Sequence, residues 1–240
     1  MMILDICPSP ALYPFYREEN DIVIVTDVFR ASATICTILQ QGAAAVIPVA
    51  DIETAQRYRA NGYLTGAERH ARKCDFADFG NSPFDYSREA VEGKEVVFTT
   101  TNGTQAIEVA SGSSALFIGT FCNMDALLRT CLKRSGRIVI LCAGWNNRTN
   151  LEDTLFGGAF AEQLSRQGDV AFGSDNVRIA LQLWQAASAN PLEYLKQSDH
   201  YHRLIAAGVA DDAPFCLQQN SISVVPYYEK REKKIKALPD

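Results

Sequence analysis

Short apolar runs rich in β-branched residues alternate with helical patterns along this chain, and that alternation limits the folds it can adopt. The runs are hydrophobic almost throughout, which is typical of strands buried on both faces rather than on one. They cover residues 3–7, 22–26, 45–49, 96–99, 115–118, 138–142 and 222–225. A sheet buried on both faces needs helices on either side, so the pattern predicts an α/β fold with a largely parallel or mixed sheet flanked by helices.

Helical patterns fill the intervals between the apolar runs. Apolar side chains recur there at spacings of three and four residues, as they do on the buried face of a helix. The predicted helices cover residues 31–41, 105–110, 123–134, 151–167 and 174–187. No internal repeat or low-complexity linker interrupts the chain, so we expect residues 1–240 to form a single domain.

Two segments do not follow this pattern. Residues 66–94 have no clear period, and a loop of that length is either functional or a misread element. Residues 228–236 are rich in Lys, Arg and Glu, and we interpret them as a solvated chain end.

Charge and cysteine content exclude several partners. The net charge is −5, whereas a general nucleic-acid binder needs clustered Lys and Arg, so we expect no nucleic acid. No apolar run approaches the ~18 residues of a membrane span, and the N-terminus lacks the basic region of a signal peptide. The seven cysteines form no C-x-x-C pair, which favours reduced thiols. We therefore expect a cytoplasmic protein that does not contact a membrane.

Polar side chains that follow strands are the candidates for chemistry, because ligands of open α/β sheets bind beyond the carboxyl ends of the strands. Asp27 directly follows the run 22–26, and Arg30 comes three residues later. The carboxylate could hold a divalent cation or attack phosphorus, and the guanidinium could bind phosphate oxygens. The alternative is structural: an Asp27–Arg30 ion pair, or Asp27 as the cap of the next helix.

A second candidate follows the run 96–99, where hydroxyl, amide and glycine residues lead into a helix. Backbone N–H groups at such a turn can bind an anion, and the glycine permits close approach. The residues are Thr101, Asn102, Gly103 and Thr104. The alternative is a capping turn made by Asn102 or Thr104.

A third candidate is the pair Glu152 and Asp153, which opens the helix after the run 138–142. Clustered with Asp27, the two acids would form a magnesium site of carboxylates and water. A structural role is the alternative, because acids are favourable in the first turn of any helix. Within the irregular segment, Glu68, Arg69, Asn81 and Ser82 are further polar candidates, and an exposed loop is their alternative.

Other site classes have no support in this sequence. His70, His200 and His202 show no H-x-x-x-H spacing, so a zinc site is not expected. The patterns of a P-loop, a dinucleotide-binding loop and a serine-hydrolase elbow are absent as well.

Taken together and in order, the motifs resemble the 2-phosphosulfolactate phosphatase family, also called ComB, over almost the whole chain. The matching stretches are TDVFRASATI at 26–35, GAER at 66–69, DFGNSP at 78–83, TTTNGT at 99–104 and LEDT at 151–154. A C-terminal block contains His200, Arg203, Leu204, Gly208, Asp212, Phe215 and Cys216. Phe29 and Ser32 stand where the family usually has Leu and Thr.

The resemblance implies a single phosphatase domain over 1–240 that uses Mg²⁺ to hydrolyse (2R)-phospho-3-sulfolactate to (2R)-3-sulfolactate and phosphate. In methanogens this step belongs to coenzyme M biosynthesis. We predict Asp27, Arg30 and Glu152 as catalytic, with Asp27 and Asp153 on the metal. Asp27 could instead be the phosphorylated nucleophile. The residues predicted to bind substrate are Glu68, Arg69, Asn81, Ser82, Thr101, Asn102, Gly103 and Thr104.

The expected partner is therefore a small phosphorylated anion, and a homodimer is left open. Because such a substrate carries further anionic groups, we expect Arg69 to bind one of them, since an arginine fork binds carboxylates in a fixed geometry. A catalytically silent anion-binding or regulatory protein is the alternative function. It would keep Arg30 and the threonine turn but would not need the carboxylates.

Overall fold

The fold is α/β, with one mixed sheet of 11 strands flanked by helices, which confirms the predicted class. The computed structural model describes residues 2–239. The strands are β1 Met2–Cys7, β2 Ile22–Thr26, β3 Ala45–Pro48, β4 Leu64–Arg69, β5 Arg72–Lys73, β6 Glu95–Thr99, β7 Ala115–Ile118, β8 Arg137–Cys142, β9 Val170–Phe172, β10 Pro226–Glu229 and β11 Lys234–Ala237. They lie in the order β5-β4-β6-β3-β11-β10-β7-β2-β8-β1-β9.

The sheet has two parallel parts that an antiparallel hairpin joins. Strands β4, β6 and β3 run parallel to one another, and so do β7, β2, β8, β1 and β9. The hairpin of β10 and β11 lies between the two parts, with Tyr227 opposite Phe117 and Ile235 opposite Val46. Each part therefore presents the carboxyl ends of its own strands.

The helices cover the sheet and include every helix that the sequence predicts. They are α1 Tyr13–Tyr16, α2 Ala31–Gln40, α3 Ile52–Ala60, α4 Arg88–Val91, α5 Gly103–Ala110, α6 Met124–Leu132, α7 Leu151–Ser165, α8 Asp175–Ala187, α9 Pro191–Leu195, α10 Asp199–Ala207 and α11 Asp212–Cys216. Helix α7 packs closely on α8 because Gly158 has no side chain. A Cβ there would lie 2.0 Å from the Ala180 carbonyl oxygen.

Two sequence predictions about elements are wrong, and the irregular segment includes a misread element. Residues 222–225 form no strand; they are extended chain tied to the loop before α6 by the hydrogen bond from Ile222 N to Cys122 O, and β10 begins only at Pro226. Strand β4 runs from Leu64 into the irregular segment and pairs with β5 in a short hairpin; its mixed polar and small residues hid the strand. The tail is not a solvated chain end, because it forms β10 and β11 with Ile235 fully buried.

No helix among residues 2–239 is both long enough and apolar enough to cross a membrane. All seven cysteines are free thiols, and six of them are buried. The single-domain prediction for residues 1–240 stays a prediction, and its two end residues lie outside the described part of the chain.

Candidate functional site

A small pocket lies where strand ends from both parallel parts of the sheet meet. Asp27 and Phe29 follow β2, Trp145 follows β8, Asn102 follows β6, and Glu68 is near the end of β4. The C-terminal helix α10 closes the remaining side. The pocket is lined by Asp27, Phe29, Arg30, Glu68, Ala71, Asn81, Asn102, Trp145, His200 and Leu204. Residues from four predicted motifs are thus brought to one place.

Asp27 is buried against the start of α5. Its backbone N–H donates to Ser32 Oγ at 2.8 Å, and Ser32 N donates back to the Asp27 carbonyl at 2.9 Å, which fixes the turn between β2 and α2. Burial raises the pKa of Asp27 to about 6; His200 opposes the rise, and the negative charges of Glu68 and Glu152 add to it. The carboxylate therefore sits among other acids in a site that water barely reaches.

Gly103 gives the Asp27 carboxylate its room. A Cβ at position 103 would lie 2.8 Å from Asp27 Oδ2 and 2.8 Å from Ala31 Cβ. We expect Gly103→Ala to displace the carboxylate, to lower kcat and to cost about 1–3 kcal/mol of stability, as overpacking does. Phosphate-release kinetics and thermal melting measure the two effects. Gly112→Ala is the matched control, because a Cβ there meets nothing within 4 Å. Equal behaviour of the two variants would show that Gly103 does not position Asp27.

Glu68 connects the β4–β5 hairpin to the threonine turn. Its Oε1 accepts a hydrogen bond from Ala71 N at 2.5 Å and one from Thr101 Oγ1 at 3.2 Å. Its Oε2 accepts a longer bond from Thr101 N at 3.4 Å. Glu68 is buried, so the sequence alternative of an exposed loop is wrong for this residue.

The threonine turn has features of both its sequence interpretations. Asn102 is the N-cap residue of α5 but makes no side-chain capping bond, and Thr104 Oγ1 donates instead to the Thr100 carbonyl at 3.0 Å, a contact within the turn. The Asn102 side-chain oxygen accepts from Asn146 N at 3.3 Å and so joins this turn to the loop after β8. Thr100 Oγ1 is buried without a hydrogen-bond partner, so a donor remains unused beside Asp27.

Arg30 is buried in an ion pair, and its partner is not Asp27. Its Nη1 donates to Asp212 Oδ2 at 2.7 Å and its Nη2 to the Ala71 carbonyl at 3.0 Å. Ser82 Oγ donates to the other oxygen of Asp212 at 2.8 Å. Nε of Arg30 has no partner within the described chain. The guanidinium is therefore held rigidly, and its Nε–H is among the donors left for a ligand.

Glu152 and Asp153 are both fully buried at the start of α7, but their surroundings differ. Asp153 accepts hydrogen bonds from Val28 N at 2.8 Å, Gly144 N at 3.1 Å and Asn150 Nδ2 at 2.9 Å. Those bonds tie the loop after β2 to the loop after β8. Burial raises the pKa of Asp153 well above its usual value, and the charges of Glu152 and Asp27 add to the rise.

Glu152 lies 2.5 Å from His200 Nδ1 through its Oε1, and its Oε2 has no hydrogen-bond partner among the described residues. A buried carboxylate oxygen left without a partner is costly unless a ligand satisfies it. His200 also packs edge-on against Phe29 and lies beside Trp145, with ring centroids 5.9 Å and 5.8 Å apart. These aromatic contacts hold the imidazole in the pocket wall.

Arg69 does not line the pocket. Its guanidinium donates to the carbonyls of Glu68 and Ala50 at 2.6 Å and 3.1 Å, and to Thr99 Oγ1 at 2.9 Å. These contacts tie the ends of neighbouring strands together. Its predicted role in binding a substrate anion stays a prediction. Asn81, by contrast, lines the pocket, and its side-chain oxygen has no partner.

Sequence reasoning missed four residues at or beside the site: His200, Trp145, Asp212 and Arg203. Three of them belong to the C-terminal block that the family resemblance includes, but no spacing rule gave them a role. The available signal was the position of polar residues in an otherwise amphipathic helical tail. It could not indicate that α10 and α11 fold back over the strand ends.

Buried acids, an arginine and a helix start near the carboxyl ends of strands are features typical of α/β proteins that bind small anions. Comparison with known proteins identifies a specific family. A family model described as 2-phosphosulpholactate phosphatase matches residues 7–231, and the chain belongs to that family.

Several curated relatives cover most of this chain and carry the same name, "Probable 2-phosphosulfolactate phosphatase". The protein from Thermotoga petrophila is 40% identical over 89% of this chain and 91% of its own length. The one from Thermotoga maritima is 38% identical over the same shares. A relative from Caldanaerobacter subterraneus subsp. tengcongensis is 34% identical over 88% of each chain.

Proposed function

We propose that this chain is a Mg²⁺-dependent phosphatase that hydrolyses (2R)-phospho-3-sulfolactate to (2R)-3-sulfolactate and phosphate. The observation that carries the proposal is the pocket of buried acids around Asp27, closed by Arg30 and His200. Family membership and the names of the relatives support the substrate. A cytoplasmic location is part of the proposal, on the ground of the seven free thiols.

The residues present fit a magnesium ion. Asp27, Glu68, Glu152 and Asp153 are all buried near one another, and Arg30 is already matched by Asp212. Glu152 Oε2 is a buried oxygen without a partner, the kind of hard ligand that Mg²⁺ prefers. No group of three or more His, Cys, Asp or Glu side chains in residues 2–239 is arranged to hold a metal alone. A magnesium ion here would therefore be held by one or two carboxylates, with water and substrate phosphate completing its coordination.

We assign Asp27 as the principal ligand, with Asp153 as the second predicted one; the free oxygen of Glu152 belongs to the neighbouring cleft, which Glu152 lines. When bound, the ion would neutralise phosphate charge and lower the pKa of a water. Attack on phosphorus is the alternative role of the same Asp27 carboxylate. The three N–H donors on Asp153 keep its carboxylate fixed in either case.

The phosphate would bind between Arg30 and the start of α5. Arg30 is preorganised by Asp212 and Ala71, so its free Nε–H costs no reorganisation when negative charge shifts in the transition state. Backbone N–H groups around Asn102 and Gly103 supply further donors at the helix start. Phe29 and Leu204 in the pocket wall exclude water and strengthen these interactions.

The leaving group is an alkoxide, which needs a proton when the P–O bond breaks. His200 supplies an imidazole to the pocket lining. Glu152 contacts its Nδ1, so Nε2 is the ring nitrogen that faces away from Glu152. We assign His200 Nε2 as the proton donor and Glu152 as the group that orients it. The attacking water loses its proton to a pocket carboxylate, so the products are the free alcohol and phosphate.

Phosphate release from (2R)-phospho-3-sulfolactate tests the proposal, with p-nitrophenyl phosphate as a generic comparison. We expect turnover of both with Mg²⁺, and a larger kcat/KM for the sulfolactate ester because its additional anions can be bound. A chain that binds phosphate or sulfolactate in calorimetry yet releases no phosphate with Mg²⁺ or Mn²⁺ would instead be a silent anion-binding protein.

A further inference from the structure

A second cleft adjoins the pocket, and the two share Trp145 and His200 as lining residues. The cleft has a volume of about 350 Å³, and Glu152 lines it but not the pocket. Arg148 and Arg203 lie on its other sides. A ligand with its phosphate beside Asp27 would therefore extend past Trp145 and His200 into this cleft.

The turn after β8 places Trp145 and Arg148 side by side. Trp145 N donates to the Arg148 carbonyl and Arg148 N donates back, both at 2.9 Å, so the two residues close a tight turn. Asn146 and Asn147 between them have φ of 48° and 61°, which asparagine tolerates better than most residues. Asn146 N also bonds to Asn102, so the turn is anchored to the threonine turn of the pocket.

Arg203 is held in place without a charged partner. Its guanidinium carbon lies 4.0 Å from the centre of the Trp145 ring, a cation–π contact. Its Nε is buried without a hydrogen-bond partner, and no ion pair between described residues includes Arg203 or Arg148. Burial lowers the pKa of Arg203, and the negative charges of Glu152 and Asp199 oppose that change, but neither acid makes an ion pair with the guanidinium. A partly buried arginine in this state is suited to an oxyanion from outside the chain.

We propose that Arg203, supported by Arg148, binds the second anionic group of the substrate, a carboxylate or sulfonate next to the phosphate ester. This inference rests on the proposed function, because it places the two ends of one substrate in the two adjoining spaces. It gives Arg203 the role that sequence reasoning predicted for Arg69, whose guanidinium is occupied by main-chain and threonine oxygens. Arg203 is a specificity residue here and does not touch the phosphorus.

The test compares Arg203→Gln with the wild type on two substrates. For phosphosulfolactate we expect KM to rise roughly 10- to 100-fold, the value of one charge-assisted contact, with kcat little changed. For p-nitrophenyl phosphate, which has no second anion, we expect kcat/KM to stay within about threefold, which also shows that the variant is folded. Arg203→Lys should fall between the two, because it keeps the charge but not the fork.

Arg178→Gln is the matched control, since Arg178 also stacks on an aromatic ring, Phe172, but lies on α8 away from the cleft. It should match the wild type on both substrates. Equal losses on both substrates with Arg203→Gln, or no loss on either, would overturn the inference.

A binding measurement separates failure of this inference from failure of the proposed function. Calorimetry with (R)-3-sulfolactate, which has the second anions but no phosphate, needs no turnover. Weaker binding by Arg203→Gln than by Arg178→Gln would support the subsite even if the wild type released no phosphate. Equal affinity in both variants would overturn the subsite even if phosphatase activity were confirmed.

Discussion

Asp27→Asn is expected to lower kcat at least about 100-fold on every phosphorylated substrate, as the loss of one preorganised electrostatic group does. Asparagine keeps the shape of the side chain beside Gly103 but removes the charge that would serve the metal or phosphorus. Steady-state phosphate release with saturating Mg²⁺ measures the effect. Turnover within a few-fold of wild type would show that Asp27 has only a structural role at the β2–α2 turn.

The same substitution should raise stability in the metal-free protein. Because burial raises the pKa of Asp27 to about 6, the native state favours its neutral form. The stability from this group is present below its unfolded pKa near 4 and is lost as the pH rises through about 6. In EDTA, Asp27→Asn should therefore melt at a higher temperature than wild type at pH 7.5, and the difference should shrink toward pH 4. A variant that is less stable at pH 7.5 would show that the charge is stabilising.

The strands of the central sheet could be predicted because burial on both faces leaves an uninterrupted apolar signature. Residues 22–26 and 115–118 match β2 and β7 at both ends. Strand β4 has no such signature: it contains Gly66 and Glu68, and it belongs to the sheet because Gly66 makes room for the Tyr86 hydroxyl and the Phe98 ring. Contacts of that kind depend on residues 20 and 32 positions away.

Residues 228–236 also show that local sequence patterns do not determine burial. Their lysines and glutamates predict solvent, yet the alternate residue Ile235 enters the sheet between the two parallel parts. Lys234 pairs with Glu95 at the edge of the hairpin, which keeps the charged side chains at the surface. A charge count over nine residues cannot distinguish this hairpin from a solvated end, because only one residue decides the burial.

Residues of the site that follow neighbouring parallel strands could be predicted, since the geometry of a parallel sheet collects them at one edge. Asp27 after β2 and Glu152 after β8 are examples. Asn102 follows β6 in the other part of the sheet, whose strands run in the opposite direction because three antiparallel pairings intervene. The partners of site residues could not be predicted: Asp212 pairs with Arg30 from 182 positions away, and His200 reaches Glu152 across 48. Local spacing has no information about such pairs. For the same reason the sequence predicted a free guanidinium for Arg69, although that group donates hydrogen bonds to the ends of neighbouring strands.

Removal of divalent cations is expected to abolish activity altogether, the largest effect that we predict. Asp27 and Glu68 line the pocket, Glu152 and Asp153 are buried beside it, and burial and mutual repulsion raise the pKa of Asp27 and Asp153. A substrate with three anionic groups cannot enter such a site unless cationic charge offsets the acids, and Arg30 is already paired with Asp212. Dialysis against EDTA should stop phosphate release, and Mg²⁺ should restore it.

Thermal melting detects Mg²⁺ binding independently of turnover. An ion that binds only the native chain stabilises it by mass action. The melting temperature of the wild-type protein at pH 7.5 should therefore rise with Mg²⁺ concentration. That of Asp27→Asn, which has lost a ligand charge, should rise much less. Asp51→Asn is the control, since Asp51 caps α3 far from the pocket and should keep the full Mg²⁺ response. Full activity in EDTA, or equal shifts of the melting temperature by Mg²⁺ in wild type and Asp27→Asn, would show that the site does not use a metal. The acids would then have to be protonated for the substrate to bind, and activity would rise toward low pH.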